Sequence, residues 1–400
     1  MGVIDRPLKK RIAWADAWLG SGKGPQKILT GILLLGFFLR VYVCFFTHLP
    51  HMHRDSLDYF KQSGALLAGG YINYFPNGYP FIVALFQAMG GDHAIALLLW
   101  LNILLSTLTL YFVHDMGKRI FGHESIGLMA AFIVAVFPTQ LNYVRWLMSE
   151  VPTAFFLLGA YYFYYRDRKL LSGLLFGFAT VVRTDEAPVF ILLLVAAAIY
   201  RKRMEWRLLA GALLPILLTG TYCYLKTGNF SVAGHGKVNI LYSITASGGY
   251  VDWYFQDHHP EVKTTGQAIG MYMDHVRNEP GEFIRQRLAN LWELWGFYPS
   301  SSDGNRGWAS RAGIGLCNAF MLFFGIYAWW KNRRSYSALI LLIPFLVVTP
   351  LHSLLLALPR YTYPVEPFMI LLASWTLHRI IRSIAPHPSG LSATHPPAAA

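Results

Sequence analysis

The sequence predicts an all-α polytopic membrane protein. The expected architecture is a bundle of about ten transmembrane helices, with interfacial helices in a first external loop and a larger external segment before the last three spans. Three observations lead there. Of 400 residues, 54% are hydrophobic and 14% charged, with mean hydropathy +0.38, whereas a soluble domain carries about a quarter charged residues. Apolar runs approaching the length a helix needs to cross a bilayer, about 20 residues, recur along the chain. They lack the period-two alternation of membrane strands, which leaves helices to satisfy the backbone in lipid.

The runs fall at 28–46, 93–113, 124–138, 149–165, 170–183, 187–200, 207–225, 312–330, 336–351 and 362–379. The third, fifth and sixth are short, so they tilt or stop part-way inside the protein. Five modules follow: a basic N-terminus (1–27), a transmembrane module (28–225) holding the first external loop (47–92), an external segment (226–311), C-terminal transmembrane helices (312–380) and a tail (381–400). Residues 9–18, with Trp14 and Trp18 among lysines and alanines, are expected on the inner surface. The tail is rich in Pro, Ala, Ser and His and is expected to be disordered. The first run has no small-x-small cleavage site and reads as a retained anchor.

A net charge of +13 and a pI of 9.6 would suit a nucleic-acid partner, but the charge is sorted by side. Turns after alternate spans carry Lys118-Arg119, Arg166-Asp167-Arg168-Lys169, Arg201-Lys202-Arg203 and Lys331-Asn332-Arg333-Arg334. That side, with both termini, holds 20 basic and 6 acidic residues against 14 and 15 on the other. Basic loops stay cytoplasmic. Both termini are therefore expected inside a plasma (inner) membrane, with membrane lipids around the spans, and no nucleic acid is needed to explain the charge. Cys44, Cys223 and Cys317 lie in or beside apolar runs without CxxC or CxxH spacing, which argues against a zinc site or disulfide framework.

Charges at span ends on the external side are the candidates for chemistry. In His53-Arg54-Asp55-Ser56-Leu57-Asp58-Tyr59, two carboxylates three apart share a helix face. Either could accept a proton from a nucleophile, although a helix N-cap is the ordinary use of Asp55. Ser149-Glu150 opens the fourth span, where the helix dipole favours Glu. Arg183-Thr184-Asp185-Glu186 forms an outer turn, read equally as a local ion pair or as part of a site. In Pro359-Arg360-Tyr361-Thr362-Tyr363-Pro364, Arg360 could bind a phosphate or anchor the interface. His48, His51, His53 and the pair His258-His259 lack the i, i+4 spacing of a helical zinc site. No GxxxxGK[ST] loop is present. Outside the spans, helices are expected at 56–69 and 80–90, around the turn Pro76-Asn77-Gly78-Tyr79-Pro80. A further amphipathic helix is expected over 280–295, with Phe283, Leu288, Leu291, Trp292 and Trp295 on one side, where aromatics prefer the membrane boundary.

These pieces occur in an order that resembles one superfamily. A first span leads to Asp55-x-x-x-Tyr59, then Pro76-x-Gly78-Tyr79-Pro80, then Ser149-Glu150. Gly173-x-x-x-Gly177-x-x-x-x-x-Arg183 and Pro359-Arg360-Tyr361-x-Tyr363-Pro364 follow. Over residues 28–380 the chain resembles the GT-C glycosyltransferases, in the bacterial branch similar to protein O-mannosyltransferases and the lipid A aminoarabinose transferase. The resemblance implies a GT-C-like bundle. It also implies inverting transfer of a sugar, at the outer membrane face, from a polyprenyl-phosphate-linked donor to a lipid, glycan or protein acceptor. Asp55 would be the general base, with Glu150 the acid of the second external loop. Relatives often carry a second acid directly after the base; here that position is Ser56, and Asp58 is the nearest further carboxylate. Arg54, Tyr59, Tyr79, Arg183, Arg360, Tyr361 and Tyr363 would contact substrate. A divalent cation, as some relatives hold, would sit on Asp55 and Glu150. An O-antigen ligase or polymerase is the nearest alternative enzyme, but usually lacks a long first external loop bearing an acid. A transporter or flippase of lipid-linked sugars would show internal repeats and mid-span charges.

Overall fold

The computed structural model describes residues 23–47, 51–52, 54–296 and 308–384. The expected surface helix at 9–18, His48, His53 and residues 385–400 lie outside that set. Among the described residues there is no sheet, only one isolated bridge between Ser247 and Tyr250. Each of the ten apolar runs is helical: α1 (Lys23–Phe45), then α2 (Arg54–Leu67) and α3 (Gly78–Gly90) of the external loop, α4 (Ala94–Phe121), α5 (Glu124–Val136) and the short α6 (Pro138–Asn142). Next come α7 (Glu150–Tyr165), α8 (Lys169–Val182), α9 (Ala187–Arg201) and α10 (Trp206–Thr227). The external segment contributes α11 (Gly236–Thr245), α12 (Phe255–His258), α13 (Thr265–Asn278) and α14 (Pro280–Leu294). The chain then forms α15 (Trp308–Asn332), α16 (Tyr336–Leu341), α17 (Ile343–Leu354) and α18 (Glu366–Ile384).

Among the described residues, five stretches are long and apolar enough to cross a bilayer unaided, or six if one bent pair counts as a span. Two departures from the expected spans have clear causes. The short helix expected to lie alone in the interface, α3, continues through a turn at Gly91–His93 into α4, giving one 44-residue apolar stretch. The third span is broken: α5 ends at Val136 and the chain turns by 53° at Pro138, which has no N–H to continue the ladder. Just beyond the break, Thr139 Oγ1 and Gln140 Nε2 donate to buried Glu366 Oε2, at 2.5 and 2.8 Å. Polar groups at a helix break in lipid need such internal partners.

The glycines of the fifth span do a specific job. A Cβ at Gly173 would overlap the Leu208 carbonyl and one at Gly177 the Ala212 carbonyl, both on α10; Gly211 meets the Leu170 carbonyl in return. The α8 and α10 backbones thus touch, the close approach that small residues permit in lipid. A Cβ at Gly78 would lie 2.7 Å from the Val181 backbone, so the first external loop rests on the last turn of α8, just before Arg183. Gly173→Leu is expected to destabilise the protein by about 1–3 kcal/mol through overpacking. Thermal unfolding in detergent measures this; an unchanged Tm would show that α10 simply moves aside.

The external helix α14 turns most of its apolar stripe outward, as expected of aromatics at a membrane boundary. Its protein-facing side is polar, with Gln286, Arg287, Asn290 and Glu293 buried, while Leu288, Leu291 and Trp292 point outward. Trp295, expected on the same stripe, is buried. An apolar face turned away from the protein suits a helix lying at a membrane boundary. Arg287 anchors it, donating to the Leu354, Leu355, Ser243 and Ala246 carbonyls. The two external segments also join: Asn77 N donates to Val232 O and Gly234 N to Tyr74 O, at 3.3 and 3.0 Å.

Charge is divided between the ends of the bundle. At one end Asp115 binds Arg119 and Arg166, at 2.6 and 2.9 Å, and Glu124 binds His114 and Lys118, at 2.8 and 2.6 Å. The opposite end holds Asp55, Glu150, Arg183 and Arg360.

Candidate active site

Those four residues come from separate parts of the chain and form one linked run. Asp55 lies in the first turn of α2, Glu150 opens α7, Arg183 follows α8, and Arg360 lies in the 3-10 turn Pro359–Thr362. Arg360 Nη2 donates to Asp55 Oδ2 at 2.5 Å, and its Nε lies 3.6 Å from Glu150 Oε1. The same Glu150 oxygen accepts from Arg183 Nη1 at 3.3 Å. Arg183 also grips Asp185 with both arms of its fork, at 3.2 and 2.7 Å. The local ion pair and the long-range contact therefore coexist. His352 Nε2, from α17, stands 3.0 Å from Asp185 Oδ2 and closes the run. Glu150 Oε2 is buried and has no hydrogen-bond partner among the described residues, which costs free energy.

Burial works against the charge on Arg360 and Arg183. Asp55 beside Arg360, and Asp185 beside Arg183, nevertheless hold both guanidiniums well above their ordinary values. Burial likewise pushes Asp185 up, but Arg183 and His352 outweigh it and keep the carboxyl far below the usual range. Asp58 is pushed up by burial and then by the charge of Asp55. Glu186, buried behind the run, is pushed up to about 8 by burial and by Asp185. Its folded-state value exceeds the ordinary 4.5, so the stability it lends is complete below pH 4.5 and is lost as pH rises through about 8. Glu186→Gln is therefore expected to raise Tm at pH 9 and leave it unchanged near pH 4.5. Equal melting curves at pH 9 would refute that.

Two cavities flank the Asp55–Arg360 pair. One, of about 370 Å³, is charged, with Tyr59, Glu150, Arg183, Asp185, His352 and Tyr361 in its wall. The other, of about 310 Å³, is mainly aromatic and includes Arg54 and Asp58. Asp55, Arg360 and Tyr361 line both. Tyr361 lies under both guanidiniums, with its ring centre 4.9 Å from Arg183 Cζ and 5.5 Å from Arg360 Cζ, and packs on His352. Tyr59 donates to Ser149 Oγ at 3.2 Å. Two expected substrate contacts line neither cavity. Tyr79 is fully buried behind Tyr59, ring centres 4.8 Å apart, and Tyr363 packs edge-on against Tyr143. Both support the wall.

The expected cation ligands do not fit a divalent metal. Asp55 and Glu150 face guanidinium groups, and no cluster of three His, Cys, Asp or Glu suited to a metal occurs among the described residues. His352 and His235 had no sequence signal. His352 lies in an apolar run without a motif, and its acidic partner is 167 positions away. His235 lines both cavities and faces the Tyr74 carbonyl at 3.0 Å; burial lowers its pKa.

Residues 74–221 match the sequence model of the family described as dolichyl-phosphate-mannose-protein mannosyltransferase. That region includes Glu150 and Arg183 and omits Asp55 and Arg360. No curated protein matches the chain. In three dimensions it is similar to the apo oligosaccharyltransferase of Archaeoglobus fulgidus, with 14% identity and TM-score 0.55 over 91% of this chain and 53% of that one. It is also similar to ArnT of Cupriavidus metallidurans bound to undecaprenyl phosphate, with 15% identity and TM-score 0.53 over 90% of this chain and 61% of that one. The chain thus spans about half to three-fifths of the length of these solved structures. Its fold is similar to those of these two solved membrane proteins, and residues 74–221 match the mannosyltransferase family model.

Proposed function

We propose that this chain is a membrane glycosyltransferase that moves a sugar from a polyprenyl-phosphate donor to an acceptor hydroxyl, with inversion. The observation that supports the reading most is the linked run Asp55–Arg360–Glu150–Arg183 at one end of the bundle, between two cavities. ArnT, whose fold this chain shares, binds undecaprenyl phosphate.

In this mechanism Asp55 accepts the acceptor O–H proton as the oxygen attacks the anomeric carbon. The bond from that carbon to the phosphate oxygen breaks, and polyprenyl phosphate leaves as an anion. Arg360 and Arg183 stabilise the charge that develops there. The Asp55–Arg360 bond keeps the base ionised and aimed across the boundary between the cavities. Glu150 holds the two guanidiniums together through one oxygen. With the basic end in the cytoplasm, the site opens at the outer face of the inner membrane and both termini lie inside.

Purified chain given a radiolabelled polyprenyl-phosphate sugar tests this. Label should move to an acceptor fraction with release of polyprenyl phosphate, and the Asp55→Asn protein should express normally and transfer at least about 10²-fold more slowly. Full activity of that variant would remove Asp55 from the mechanism, and failure to consume any such donor would remove the donor class. A reporter fused after residue 60 that reads cytoplasmic would overturn the orientation.

A further inference from the structure

The two cavities differ in chemistry, and the difference bears on the second substrate. The charged cavity holds the guanidiniums of Arg183 and Arg360, donors suited to a phosphate, beside the carboxylates of Asp55, Glu150 and Asp185. The other is lined by Tyr74, Tyr143, Trp146, Tyr242 and Trp253, with Arg54, Asp55, Asp58, Asn239 and Arg360 between them. Tyr242 and Trp253 meet at nearly a right angle, ring centres 5.1 Å apart, forming a corner and not a slot. The C–H face of a sugar ring packs on the electron-rich face of an aromatic ring. Sugar hydroxyls bond to isolated carboxylate, amide and imidazole groups. Aromatic faces with a few such groups between them match a saccharide.

A volume of about 310 Å³ lies at the small end of ligand cavities and suits a sugar unit better than a chain segment.

We infer that the cavity walled by Trp146, Tyr242 and Trp253 binds the acceptor, and that the acceptor is a saccharide whose hydroxyl is presented to Asp55. This rests on the glycosyltransferase reading for the role of the bound sugar, while the binding itself does not. In the transfer step the saccharide O–H bond breaks and its proton goes to Asp55. A C–O bond forms to the anomeric carbon, and polyprenyl phosphate departs with the electrons of the broken bond. The source of the saccharide, a soluble glycan or the headgroup of a glycolipid, is left to the experiment.

Saturation-transfer NMR on the full chain in nanodiscs provides the test. The probes are methyl α-mannoside, methyl β-glucoside, a dodecyl maltoside incorporated in the disc, and a Ser-containing hexapeptide. Saturation of ring C–H protons of a methyl glycoside would support a saccharide site open to water. Saturation of the dodecyl glycoside alone would support a lipid-borne one. Binding of the peptide alone, or of no saccharide, would overturn the inference. Trp253→Ala should weaken the bound saccharide about tenfold, as expected for loss of an aromatic face, and Trp253→Tyr should restore most of it. Trp253 is 37% exposed, so its removal leaves the packing of the bundle intact; should Trp253→Ala unfold even so, unaltered binding in Trp253→Thr would count against the site. Asp55→Asn should still bind sugar while losing transfer. If it binds sugar and transfers normally, the catalytic reading falls and the saccharide site stands. If it binds only peptide, the acceptor inference falls and the transferase reading stands.

Discussion

Asp55→Asn is expected to lower the transfer rate about 10²–10⁴-fold, the usual worth of a positioned general base. Asn keeps the shape and can still accept from Arg360, but it cannot take a proton from the acceptor. Donor affinity should therefore change little, and the loss should fall on kcat. Asp55→Glu keeps the charge and lengthens the arm, shifting the carboxylate from its 2.5 Å contact with Arg360, so it should recover only part of the rate. The measurement is single-turnover transfer with donor in excess. A fall in donor affinity without a fall in the chemical step would instead make Asp55 a holder of Arg360.

Arg360→Gln should cost in two ways. Loss of a charged donor at the leaving phosphate is expected to slow transfer about 10²–10³-fold. Removing the cation also leaves Asp55 and Glu150 without it in a largely buried setting, which should destabilise the protein by up to about 3 kcal/mol. The two effects separate in the double variant Arg360→Gln, Asp55→Asn. It should regain much of the lost Tm and none of the activity, because the two residues are directly coupled. Arg360→Lys should keep the fold and rescue activity poorly, since one ammonium cannot reach Asp55, Glu150 and a phosphate as a planar fork does. Full activity with Lys would show that point charge suffices.

The fold was legible because hydropathy reports membrane-spanning helices directly. All ten apolar runs are helical, and the thiols, two of them buried, are unpaired as their spacing suggests. The candidate site was legible for a related reason: on the less basic side, charged residues at the ends of apolar runs stand out. Asp55, Glu150, Arg183 and Arg360 were found that way. Periodicity put Trp295 on the outward stripe of α14, whereas the structure buries it. Interfacial tyrosines posed the same difficulty. Tyr361 lines the cavities, while Tyr79 and Tyr363 pack behind them, and sequence gives the three the same appearance. Pro138 was counted inside a span, although its missing N–H ends α5 there. His352 was missed because a single histidine in an apolar run carries no pattern until the fold brings Asp185 to it.

The helices that carry Glu150 and Arg183 are short, with 16 residues in α7 and 14 in α8. At 1.5 Å per residue they measure about 24 and 21 Å, while the hydrocarbon layer is about 30 Å thick. Arg166 to Lys169 join them at the basic end, which fixes that turn near one headgroup layer. Their other ends then stop about 6–9 Å short of the opposite layer. On the proposed orientation, Glu150 and Arg183 would therefore sit at a depth where lipid tails otherwise begin. A phosphate on a long isoprenoid tail reaches that level by sinking slightly, and a water-borne substrate reaches it by descending. Bilayer thickness thus becomes a working dimension of the site.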